Sequence, residues 1–121
     1  MDQVKEKKKS RFRDIQTGYH RSAVNILASW VNGSVEEKFF LRGDLYFVPD
    51  VTVYKNGEPN ILYEVVYKNE ITGSKLERIQ LWCYCNAIDM VIYEVSADWI
   101  LSQIKKPKKI KVMEKYEVTV F

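Results

Sequence analysis

The sequence predicts an α/β domain with a mixed central β-sheet flanked by helices, and three observations carry that prediction. An apolar stripe at three- and four-residue steps marks an early helix, two β-branched and aromatic runs flank a turn as a hairpin, and a second helix separates that hairpin from a further buried strand. A hairpin is antiparallel, whereas a helical crossover between the third and fourth strands is how parallel neighbours are joined, so the sheet is mixed.

The elements follow in order. Lys5, Lys7, Lys8, Lys9, Arg11 and Arg13 crowd a basic leader over residues 1–13, and residues 14–121 form one domain. Phe12, Ile15, Tyr19, Ala23, Ile26 or Leu27, and Trp30 trace the apolar face of an amphipathic helix that Asn32-Gly33 ends. A strand over 35–41 and a loop at Arg42-Gly43-Asp44 lead into the hairpin of 48–54 and 60–66. Ser74-Lys75-Leu76-Glu77 has the form of a capping box, which starts a helix running to Ala87. Met90 to Val95 is a buried strand, Ser96 caps a short helix through Ile104, Pro107 breaks the chain, and Ile110 to Phe121 supplies one or two edge strands. There is no internal repeat and no Gly-rich phosphate loop.

At 121 residues, 46% hydrophobic and 13% aromatic, the chain has the material for one core. No apolar run approaches a membrane span and the N-terminal residues are charged, so an intracellular, cytoplasmic protein without a membrane partner is expected. Cys83 and Cys85 are too few and too close for a structural zinc site, which points to two buried free thiols. His20 is the only histidine, which excludes a zinc site built on several imidazoles. The net charge of +3 is modest but segregated: Lys7, Lys8, Lys9 and Arg11 at one end and Lys105, Lys106, Lys108 and Lys109 at the other suit a polyanion, or serve as solvated ends.

Within the hairpin, Asp50 and Glu64 each stand seven residues from Gly57. Pairing that is symmetric about Gly57 sets these carboxylates opposite each other on one face, an arrangement that is unfavourable unless a hard divalent cation uses both. Pro59 favours an odd-length connection over Lys55 to Pro59 and hence this register; Asn56-Gly57 alternatively forms a two-residue turn, which would send the two acids to opposite faces.

Pro49-Asp50, followed fourteen residues later by Glu64-Val65-Val66, resembles the signature of the PD-(D/E)XK nucleases. Gln80-Leu81-Trp82-Cys83-Tyr84 looks like the QxxxY element of the RecB-like branch, and His20, after Gly18, resembles that branch's early histidine. The run Tyr63 to Ile71 is similar to the corresponding strand of CoiA-like nucleases. Together these elements span residues 18 to 95, and they imply a restriction-endonuclease-like fold.

The resemblance implies a metal-dependent nuclease, acting on DNA more readily than RNA, and a homodimer if it resolves junctions; with no room for a separate sequence-reading domain and recognition left to basic segments, selectivity is expected for ends, flaps or junctions rather than for sequence. It implies Mg2+ or Mn2+ held by Asp50, Glu64 and the Val65 carbonyl, with a contact from His20, and a phosphate or carboxylate held by Gln80 and Tyr84. The family's lysine falls where this chain has Val66. Lys68 shares the face of Glu64 about 7 Å further along the strand, and Lys75 and Arg78 on the next helix are the other cations available to replace it. Two rival functions follow from the same residues: a decayed nuclease fold that binds nucleic acid without cutting, and an interaction domain whose exposed aromatics meet a protein.

Overall fold

The computed structural model describes residues 18–67 and 71–120. Helix α1 covers residues 18–31, and β1 (Ser34–Val35), β2 (Phe39–Arg42), β3 (Leu45–Phe47), β4 (Val51–Lys55) and β5 (Glu58–Val66) follow. Then come α2 (Gly73–Asn86), β6 (Met90–Ser96), α3 (Ala97–Ser102) and β7 (Glu114–Val118). The main sheet has the order β1-β4-β5-β6-β7; β5 and β6 are parallel and the other neighbours antiparallel, so the expected mixed α/β sheet is present.

The sheet buries both faces. Against one lie Ala23, Val24, Leu27 and Ala28 of α1 with Ala97 and Ile100 of α3, packed on Val51, Tyr63, Val65 and Val95. Against the other lie Ile79 and Cys83 of α2 with Phe39 and Phe47, packed on Leu62, Met90, Ile92 and Val118. The alternation Leu62/Tyr63/Glu64/Val65 along β5 thus sends even-numbered residues toward α2 and odd-numbered ones toward α1.

Several boundaries differ from the sequence reading for identifiable reasons. The strand expected over 35–41 is two strands, because Glu36 adopts φ 50° and turns the chain; β1 joins the main sheet, while β2 and β3 form a separate two-stranded hairpin. Asn32, not Gly33, takes the left-handed position after α1, and Gly33 closes the turn through its N–H to the Ala28 carbonyl. Glycine is needed at 33 because a Cβ there would stand 2.3 Å from Val51 Cγ1. Helix α2 is capped by Thr72, whose hydroxyl accepts from Lys75 N–H, two residues before the expected Ser74. Ser96 does cap α3, accepting from Trp99 N–H, but that helix ends at Ser102. Cys83 is buried and Cys85 is exposed; both are free.

The β4–β5 connection decides the site. Asn56 and Gly57 have φ of 55° and 79°, a tight type I′ turn, so the expected five-residue loop is absent. Tyr54 faces Pro59, but Val53 faces Ile61, and the extra residue of this bulge shifts the register by one. Val51 then faces Tyr63, and the same register carried one residue further sets Asp50 against Glu64. The facing carboxylates predicted from a long loop therefore arise from a short loop plus a bulge. Pro59 is tolerated inside β5 because the pairing of β5 with β6 begins only at Ile61.

Among the described residues no helix is long and apolar enough to cross a membrane.

Candidate functional site

Asp50 immediately precedes β4, Glu64 and Val65 lie near the end of β5, and His20 lies in the first described turn of α1. The three elements meet because α1 packs on the face of the sheet that carries Val51 and Val65. His20 Nε2 is 3.0 Å from the Val65 carbonyl oxygen and 3.3 Å from Asp50 Oδ2, and Asp50 Oδ2 also accepts from Val65 N–H at 2.7 Å. Hydrogen bonding to Asp50 raises the His20 pKa above its ordinary value, outweighing the burial that lowers it.

Glu64 projects from the opposite face of β5 at 7% exposure. Burial first, and the negative charge of Asp50 second, push its carboxyl up to about 8, against an opposing pull from Lys75. Lys75 Nζ lies 2.7 Å from Glu64 Oε1 and donates to the Val48 carbonyl at 2.9 Å.

Of the three cations named from the sequence, Lys75, from the first turn of α2, is the one among the described residues that meets Glu64. Val66 is buried. Arg78 is instead tied to the Tyr46 carbonyl at 2.9 Å, and Lys68 lies outside the described residues.

Gln80 and Tyr84 are not brought to this cluster. Helix α2 turns Ile79 and Cys83 into the core, which rotates Gln80 and Tyr84 together onto an outer face, with Tyr84 60% exposed. Their shared face follows from the spacing, but its direction is set by the apolar stripe. Lys105, Lys106, Lys108 and Lys109 are exposed between α3 and β7, and Lys7, Lys8, Lys9 and Arg11 lie outside the described residues.

Two groups in this region were not evident from the sequence. The Val48 carbonyl takes part through its backbone and leaves no side-chain signal. Glu94 stands beside Glu64 in the parallel register, is buried, and accepts from the Tyr116 hydroxyl at 2.6 Å. Its sequence signal is a lone acid inside the apolar run Met90 to Val95.

The donor set suits a hard divalent cation only if backbone oxygen is included. Among the described residues no three His, Cys, Asp or Glu side chains group closely enough to hold a metal by themselves. Asp50, Glu64 and the Val65 carbonyl supply oxygen, the ligand type such ions prefer, and His20 adds one nitrogen. The His20 separations of 3.0 and 3.3 Å are those of a hydrogen bond to the Val65 carbonyl and an ion pair with Asp50.

Compared with protein-family models, curated proteins and solved structures, the chain shows no match.

Proposed function

We propose that this protein is a metal-dependent nuclease that hydrolyses phosphodiester bonds in DNA and selects its substrate by structure rather than by sequence. The observation that carries the reading is the convergence on Asp50 of His20 and the Val65 backbone from one side and of the buried Glu64, paired with the half-buried Lys75, from the facing strand. Setting a half-buried acid against a buried one whose pKa is raised is costly for a fold and is characteristic of catalytic sites.

In this reading Asp50, Glu64 and the Val65 carbonyl would hold Mg2+ or Mn2+, with His20 beside them. Such an ion would lower the pKa of water and offset charge on the phosphodiester. Asp50 keeps its orientation through Val65 N–H, and Asp50 in turn holds the His20 ring in place. Lys75, an ammonium paired with Glu64, orients that carboxylate and offers a cation to a phosphate oxygen or to the attacking water. The exposed lysines between α3 and β7 add affinity for phosphates without reading bases. Two coordinated cuts at a junction would require a homodimer with paired sites. Two free thiols suit a reducing compartment, and the cytoplasm is the proposed setting.

The test is incubation of labelled single-stranded, duplex, flapped and four-way DNA with Mg2+ or Mn2+, beside Asp50→Asn and a chelator control. Metal-dependent cleavage lost in Asp50→Asn supports the reading. Binding without cleavage under every metal condition would instead identify a decayed nuclease fold, for which the loss of lysine at Val66 is the supporting feature.

A further inference from the structure

The hairpin β2–β3 divides its aromatic residues between two faces. Phe39 and Phe47 stack at 5.3 Å and meet Trp82 of α2 edge-on, which anchors the hairpin. On the other face Phe40 and Tyr46 pair directly across the strands with ring centroids 5.7 Å apart, at 59% and 37% exposure. An exposed pair of large rings gains little from folding, and the anchor is already supplied by the inner face.

Cations surround those rings. Lys38 Nζ sits 4.9 Å from the Tyr46 ring centroid, Arg42 is exposed in the bulged end of β2, and Arg78 holds the Tyr46 carbonyl. Asp44, in the turn, is the hairpin's own carboxylate; Glu37 at its base is engaged by the Tyr54 hydroxyl at 2.6 Å. A groove of about 310 Å³ runs beside Tyr46, lined by Val48, Thr72, Ser74, Lys75 and Arg78. Its Lys75 is the residue paired with Glu64. Tyr46 precedes Asp50 by four residues, so the platform lies within about 14 Å of that carboxylate along the chain.

We infer that the Phe40–Tyr46 face is a stacking platform for unpaired nucleotides, with Arg42, Arg78 and Lys75 tracking the phosphates along the groove toward Asp50 and Glu64. Open aromatic faces interleaved with cations match single-stranded nucleic acid, because every base has a π-face and each nucleotide carries one negative charge. Stacked base pairs in a duplex cover the faces that these rings need. The inference deepens the nuclease reading by assigning its substrate an unpaired segment, and it rests on that reading only for the direction of the groove.

The experiment compares binding of a fluorescent 15-nucleotide oligothymidylate, the same backbone lacking bases, and a duplex of equal length, with the full chain in chelator so that no cleavage occurs. Oligothymidylate is expected to bind about tenfold or more tighter than the base-free backbone. Phe40→Ala with Tyr46→Ala should erase that preference, and Phe40→Tyr with Tyr46→Phe should keep it. Equal binding of the two single strands, or an unchanged preference in the double alanine variant, would overturn the inference. So would a loss of self-association in that variant with no change in DNA binding, because the face would then belong to a second copy. Cleavage with metal but no base preference removes the platform alone, whereas a base preference without cleavage under any metal condition removes the nuclease reading alone.

Discussion

Replacing Glu64 with Gln tests the site through stability as well as activity. The Glu64 carboxyl is raised from 4.5 to about 8, so the folded protein holds this proton more tightly than the unfolded chain does. The stabilisation is therefore fully present below 4.5 and is lost as pH rises toward 8. A shift of that size corresponds to at most ~5 kcal/mol, and solvent relaxation together with the Lys75 pair reduces the expected effect to about 2 kcal/mol. Glutamine imitates the protonated acid. Wild type and Glu64→Gln should thus unfold at similar temperatures at pH 5, while at pH 8.5 the variant should be about 6 to 10 °C more stable. Thermal unfolding followed by circular dichroism across that range measures the difference. Mn2+ should restore wild type at pH 8.5 and leave the variant unmoved, because ionised Glu64 is what the metal would use. Parallel curves at all pH values, or a Mn2+ response in both proteins, would refute the assignment of Glu64 as a buried, metal-seeking acid.

Other outcomes follow from the same geometry. Lys75→Ala should lower metal-dependent cleavage about a hundredfold while Mn2+ still raises the unfolding temperature, read by single-turnover cleavage beside thermal shift. Val66→Lys should cost about 1 to 3 kcal/mol in denaturant unfolding and bring no gain in cleavage, because position 66 is buried and Glu64 already has a cation. The His20 pKa is raised by Asp50, so the stabilisation it gives is present below 6.5 and lost as pH rises through the raised value; His20→Ala should remove that dependence and weaken Mn2+ binding, measured by calorimetry. Neutralising Lys105, Lys106, Lys108 and Lys109 together should flatten the salt dependence of DNA affinity, and an unchanged slope would mean that this segment does not touch nucleic acid.

What the sequence made legible was governed by local patterning. The apolar stripe from Tyr19 through Ala23 and Leu27 to Trp30 and the run Met90 to Val95 each have one strong solution and appear as read, while Phe12 and Ile15, which began that stripe in the sequence, lie outside the described residues. The hairpin was legible in its partners but not in its path. Asn56-Gly57 obeyed its turn propensity and Pro59 entered the strand, and the register was recovered only through a bulge, which sequence pattern does not reveal. Gln80 and Tyr84 show the converse: their spacing placed them on one face of α2, but which face looks inward depends on what Ile79 and Cys83 pack against. Backbone groups such as the Val48 carbonyl had no signature at all.

The position of Lys75 beside Glu64 is intelligible once the layers are considered together. A lysine at 66 would rise from β5 on the face that carries Leu62 and Glu64, beneath the layer containing α2. In the proposed nuclease an ammonium would be needed near the Glu64 carboxylate, but the direction from which it comes is open. The first turn of α2 can supply it from above, because Thr72 caps the helix and Lys75 N–H fixes where that turn begins. Val66 is then free to become a packing residue, and the cation gains a second anchor in the Val48 carbonyl, two residues before Asp50. That anchor links the start of α2, the approach to Asp50 and the Glu64 carboxylate through one ammonium. A strand lysine contacting Glu64 alone would not tie together the two chain segments that bring the acids face to face.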